Sequence, residues 1–168
     1  MDVVLIGIGA ILFMYGWFWG GVTEARTTAY AIGATAFMLG LWFAFSGGAG
    51  GDAVGGAFLG FGAVFGFMAA ANAWNESSQD RTYGMFALLF GIVALFGFMY
   101  FSDNEAPGQY TFASLVLGIV LLLHFVSAGL VASNRGFKSL VGWVTLFAGV
   151  LLVYFGFAEA LGSGLDPL

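Results

Sequence analysis

The stretch VTEARTTAY, Val22–Tyr30, contains Arg26, the only basic residue in the first eighty positions, and it separates two strongly apolar runs. A lone cation between apolar segments marks a turn at a membrane face. A charged head is costly in hydrocarbon, whereas short loops on the cytoplasmic side carry an excess of Lys and Arg. Read outward from Arg26, the chain divides into six apolar runs: Val3 to Gly20, Thr28 to Ser46, Ala53 to Trp74, Tyr83 to Phe101, Tyr110 to Ala132 and Ser139 to Leu161. Each is close to the ~20 residues that a helix needs to cross a bilayer, where only an internal hydrogen-bond ladder satisfies the backbone. The first run is too long and continuous for a cleaved signal peptide and has no basic lead, so it is expected to remain as the first helix.

Composition points the same way. Of 168 residues, 61% are hydrophobic and only 8% charged, against about 25% charged in soluble domains. The runs are apolar on nearly every side, without the alternation of a membrane barrel strand. The expected fold is therefore an all-α integral membrane protein, a single six-helix transmembrane domain spanning residues 1–168. A net charge of −5 argues against a nucleic-acid partner, and the absence of cysteine excludes disulfides and thiolate metal sites.

The four cations, Arg26, Arg81, Arg135 and Lys138, all fall after the first, third and fifth runs. The intervening loops hold Asp52, Asp103 and Glu105 but no Lys or Arg. These cations then serve topology and head-group contact: their loops are expected to be cytoplasmic and both termini outside, in a multi-pass protein of the cell membrane. Position 81 lies 55 residues after 26, and 135 lies 54 after 81. A leading glycine (Gly9, Gly62, Gly118) precedes each Arg, and a glycine pair (Gly33 and Gly40, Gly91 and Gly97, Gly149 and Gly156) follows it, the first glycines of the pairs 58 residues apart in both steps. That pattern predicts three tandem helical hairpins, about 1–46, 53–101 and 110–161, with a pseudo-threefold repeat. The 28 glycines suit close backbone approach between helices in lipid, and the tryptophans near run ends read as interfacial anchors.

No Asp, Glu, Lys or Arg stands in the middle third of any run, and none of the six contains proline. Ion pumps and coupled transporters usually place ionisable groups or broken helices there. What remains at depth is Tyr15, Thr35, Asn72, His124, Ser127 and Thr145. Six positions beyond each leading glycine stand Tyr15, Met68 and His124, which would meet at one level if the hairpins surround a common axis. One histidine and no thiol make a metal site or a catalytic constellation a poor fit, so neither enzyme activity nor a cofactor is expected.

Six helices in three hairpins, with no soluble domain, resemble the AmiS/UreI family of urea and short-chain amide channels. IGAILFMYG in the first run is similar to the family's first-helix pattern, with Tyr15 where an Asn would stand and Gly16 kept. VFGFMAAANAWNESSQDRTY, Val64–Tyr83, resembles its Leu-Phe-Gly-Phe-Thr-Tyr stretch, followed by an Asn and then an Asp and Arg; Phe65, Gly66, Phe67, Asn75, Asp80, Arg81 and Tyr83 fall into register. The resemblance implies a passive channel for a small neutral solute, urea or a short-chain amide, and six protomers in a ring around lipid. It makes Phe65 and Phe67 constriction residues, with Tyr15 and His124 near the path. Met68 and Ala69 replace the family's Thr and Tyr, and Leu117 and Leu121 stand where its fifth-helix tryptophans are expected, so these four are pore-lining candidates that offer no polar guidance. The alternatives are a structural or accessory subunit with a closed pore, and a lipid- or quinone-binding protein.

Overall fold

The computed structural model describes residues 2–46, 53–76, 80–104 and 106–161, apart from the Glu159 side chain. The acidic positions Asp52, Glu105 and Asp166 lie outside them. Among the described residues the fold is all-helical: α1 Asp2–Trp19, α2 Ala25–Phe45, α3 Ala53–Trp74, α4 Asp80–Asp103, α5 Gly108–Phe125 and α6 Arg135–Ala160. All six are long and apolar enough to cross a membrane, α5 together with the π-helical turn Val126–Leu130 that continues it. The bounds agree with the apolar runs, except that α2, α4 and α6 begin up to a turn earlier. Their first turns take in the polar stretches that hold Arg26, Arg81 and Arg135.

Local signals explain the ends. Gly21, at φ 78°, stops α1 in a Schellman turn: Val22 N–H donates to the Trp17 carbonyl and Gly21 N–H to that of Phe18. Asn134 caps α6 by accepting from Phe137 N–H at 3.0 Å.

The helices close a ring in chain order in which tight seams alternate with looser ones. The most extensive contacts are α6 with α1, α2 with α3, and α4 with α5. Small residues set each seam. A Cβ built on Gly149 would lie 2.5 Å from the Phe13 nitrogen and 2.7 Å from the Gly9 carbonyl oxygen, and one on Gly16 would lie 2.5 Å from the Leu146 nitrogen. Backbone therefore touches backbone along α1 and α6, at glycines seven residues apart on each helix. The α2–α3 seam is looser by a methyl group, with Gly33 facing Ala70 and Gly40 facing Ala63. In the α4–α5 seam Gly84 faces the backbone of Gly129 in the π turn. These pairings run antiparallel throughout, so Arg26, Arg81, Arg135 and Lys138 stand at one end of the bundle.

Candidate functional site

Most of the polar side chains buried in the bundle, all but Thr28, Gln109 and Ser114, converge within about three turns of the basic end. From α1 come Tyr15 and Trp19, one turn apart on the same face; from α3, Asn72; from α4, Asp80 and Tyr83; from α5, His124, and from the π turn that continues it, Ser127; from α6, Lys138 and Thr145. Tyr15, Asn72, Tyr83, His124, Ser127 and Thr145 are completely enclosed.

Two strings of hydrogen bonds order the cluster. In the first, Lys138 Nζ donates to Asp80 Oδ2 at 2.6 Å, and Asn72 Nδ2 donates both to Asp80 Oδ1 at 2.9 Å and to the Tyr15 hydroxyl oxygen at 2.7 Å. A carboxylate only accepts, so the bond to Asp80 fixes which way the Asn72 amide faces. In the second, Thr145 gives its hydroxyl proton to the Val141 carbonyl at 2.7 Å, leaving its oxygen as acceptor for His124 Nε2, 2.6 Å away. His124 is thereby assigned the neutral form protonated on Nε2, and its Nδ1 accepts from the Tyr83 hydroxyl. The first string ends inward on the Tyr15 hydroxyl, with the Asn72 amide between it and Asp80, and the second ends on the Val141 carbonyl.

Aromatic rings enclose both strings. Trp19 stacks on His124 with centroids 4.6 Å apart, Tyr15 lies 5.0 Å from Tyr83 and 5.7 Å from His124, and Phe65 lies 5.6 Å from Tyr83. From Phe65 a column of rings continues along the bundle through Phe90, Phe58 and Phe101 to Tyr110, with successive centroids 5.7 to 6.3 Å apart. At that far end the Tyr110 hydroxyl donates to Asp2 Oδ1 at 3.2 Å.

Three buried polar atoms of the cluster have no hydrogen-bond partner among the described residues: Trp19 Nε1, Asn72 Oδ1 and Ser127 Oγ. The Trp19 indole N–H adjoins the Tyr15 hydroxyl without completing a bond to it. An unpaired buried polar group is expensive enough to require explanation.

The placement of the sequence-derived candidates is uneven. Tyr15, Phe65 and His124 come together. Met68 is half-buried at the edge of the core, and Phe65, three positions earlier, represents α3 at this level. Phe67 lies on the outer surface of α3, 47% exposed, because two residues advance a helix by about 200° and two such side chains cannot share a face. Ala69, Leu117 and Leu121 are wholly buried, Leu121 in the α4–α5 seam. Arg81 and Arg135 are exposed, while the Arg26 guanidinium sits 5.7 Å over the Trp74 ring. Trp19 departs from the interfacial-anchor reading: it is 5% exposed and covers His124. Tyr83 and the Asp80–Lys138 pair stood out in the sequence only as motif register and loop charge; a Tyr one turn inside a helix start, three residues after an Asp, is the signal that would have found them. Ser127 Oγ makes no bond to His124, whose two ring nitrogens are engaged elsewhere. Among the described residues no group of His, Asp and Glu could hold a metal. Two open grooves, of about 530 and 620 Å³, lie on the flanks, one between α1 and α2 and one bordered by α2, α3 and α4. No protein-family model matches the chain, and a search of characterised proteins returns no match.

Proposed function

We propose that the chain is a multi-pass membrane protein that passes a small neutral solute along the bundle axis, held in a closed conformation in this structure. The observation that carries this reading is the convergence of most of the buried polar groups near one end of the axis, in line with a column of aromatic rings, with only Thr28, Gln109 and Ser114 buried elsewhere. An uncharged molecule sheds water in such a passage at far lower cost than an ion. Unpaired donors at Trp19 and Ser127 and an unpaired acceptor at Asn72 suit a solute that both accepts and donates hydrogen bonds, as urea and simple amides do.

The alternation of tight and loose seams, with the cations recurring at the starts of α2, α4 and α6, supports three related hairpins around one axis. Four cations at one end support a cytoplasmic position for that end under the positive-inside rule. The resemblance to the AmiS/UreI family carries the further reading of a homo-oligomeric, six-membered ring embedded in lipid. One observation favours a second reading, a structural or accessory subunit: Tyr15, Phe65, Tyr83 and His124 fill the axis completely. Osmotic response separates the two. Proteoliposomes holding the wild-type chain, shrunk and then reswelling in urea, acetamide or glycerol, reswell faster than empty vesicles for at least one solute if the path conducts. Rates equal to those of empty vesicles for all three eliminate the channel.

A further inference from the structure

We infer that Lys138 and Asp80 form a releasable latch that closes the basic end of the axial path, an inference that rests on the reading of that axis as a passage. The only lysine of the chain, on the first turn of α6, reaches across the bundle mouth to Asp80 Oδ2 at 2.6 Å, and its ammonium sits 4.9 Å from the centroid of the Trp19 ring. Trp19 is in turn stacked on His124. Lysine, indole and imidazole thus form a three-layer plug directly over the polar cluster. Through Asp80 and Asn72 the same contact ties α6, α4, α3 and α1 together at one point.

The pair is poised to open because each partner has another favourable setting. The two side chains are 15% and 10% exposed, at the rim of the bundle rather than deep inside it. Lys138 is four residues into its helix, so rotation of its flexible stem carries the charge to water or to lipid head groups. Asp80 is the first residue of α4, where unpaired backbone N–H groups and the helix dipole stabilise a carboxylate with or without the lysine. Both states therefore keep their charges satisfied, which is the condition for a small energy gap between them. The π turn beside the mouth gives a second opening element: Val131 N–H bonds back five residues to Val126, and Ser127, within the turn and three residues after His124, is wholly buried.

The chain has no cysteine, so single introduced thiols report accessibility cleanly. Ser127→Cys in sealed vesicles, challenged with a membrane-impermeant thiol reagent on the basic-loop side, is modified slowly. Adding Lys138→Met raises the modification rate about tenfold or more, as expected when a minor open state of at most a tenth becomes the main one. Lys138→Arg keeps the pair and leaves modification slow. Ser133→Cys, exposed in the loop before α6, is modified rapidly in every background and only from the cytoplasmic side, which verifies sidedness, while a monodisperse peak and unchanged thermal midpoint verify folding. An unchanged Ser127→Cys rate in a Lys138→Met protein that still reacts at Ser133→Cys overturns the latch. A raised rate with neutral-solute flux no greater than that of empty vesicles leaves the latch standing and overturns the passage.

Discussion

Gly149→Val is expected to cost roughly 3 kcal/mol or more, the upper range for overfilling a packed interior, and to leave little properly folded protein in detergent. The glycine faces the Phe13 nitrogen and the Gly9 carbonyl oxygen, both backbone atoms, so no side chain can rotate away to make room. The two helices must separate, and α1–α6 is the seam that closes the ring between the first and last helices. For a chain of this length a loss of that size lowers the thermal midpoint by about 6–12 °C, read as loss of the monodisperse peak after stepwise heating. Gly33→Ala is the matched control. Its added methyl meets only the Ala70 Cβ at 3.8 Å, an ordinary contact, so its effect stays within about 0.5 kcal/mol. Equal loss in both variants would mean that the α1–α6 contact is not the close one described.

His124→Leu is the second large effect. Leucine fills most of the imidazole's space but leaves the Tyr83 hydroxyl without its acceptor inside a fully enclosed cluster, and an unpaired buried group of this kind costs about 1–3 kcal/mol. Trp19 also loses its stacked partner. Tyr83→Phe in the same chain removes the stranded hydroxyl, so the double variant is more stable than the sum of the two single losses implies. The expected coupling is of the order of 1 kcal/mol, within the range found for contacting pairs. It is measured as a double-mutant cycle of thermal midpoints. Simple additivity would show that the two groups do not share a hydrogen bond. Under the proposed function the single His124→Leu variant also lowers neutral-solute flux, because it removes the polar element of α5 from the path.

The helices were legible in the sequence because charge is so scarce: each cluster of polar residues had to be a helix end, and the bounds fell within a turn of their observed places. The common level of Tyr15 and His124 was legible from their equal distance to a leading glycine. Which face of each helix turns inward was not. A helix that is apolar all round carries no amphipathic stripe to read, and its inward face is decided by where small residues let a neighbour approach. Gly16 seats α1 against α6, and Trp19, one turn beyond Tyr15 on the same side, goes inward with it rather than to the membrane surface. The same ignorance of facing joined Phe65 to Phe67, which helical geometry sends to opposite sides. Lys138 reads in sequence as one more cytoplasmic charge, since nothing local links it to Asp80, 58 residues earlier; only closure of the ring, which lets the α6 lysine reach across the mouth to the start of α4, brings them together.

The claim on which the rest depends is that solute moves through the enclosed polar cluster on the bundle axis. Stopped-flow light scattering on proteoliposomes of the Ser127→Cys chain, before and after its thiol is modified to completion with a small reagent, bears on it most directly. The account predicts that modification brings urea and acetamide flux down to the level of empty vesicles. Flux that survives complete modification would place the path elsewhere and contradict it.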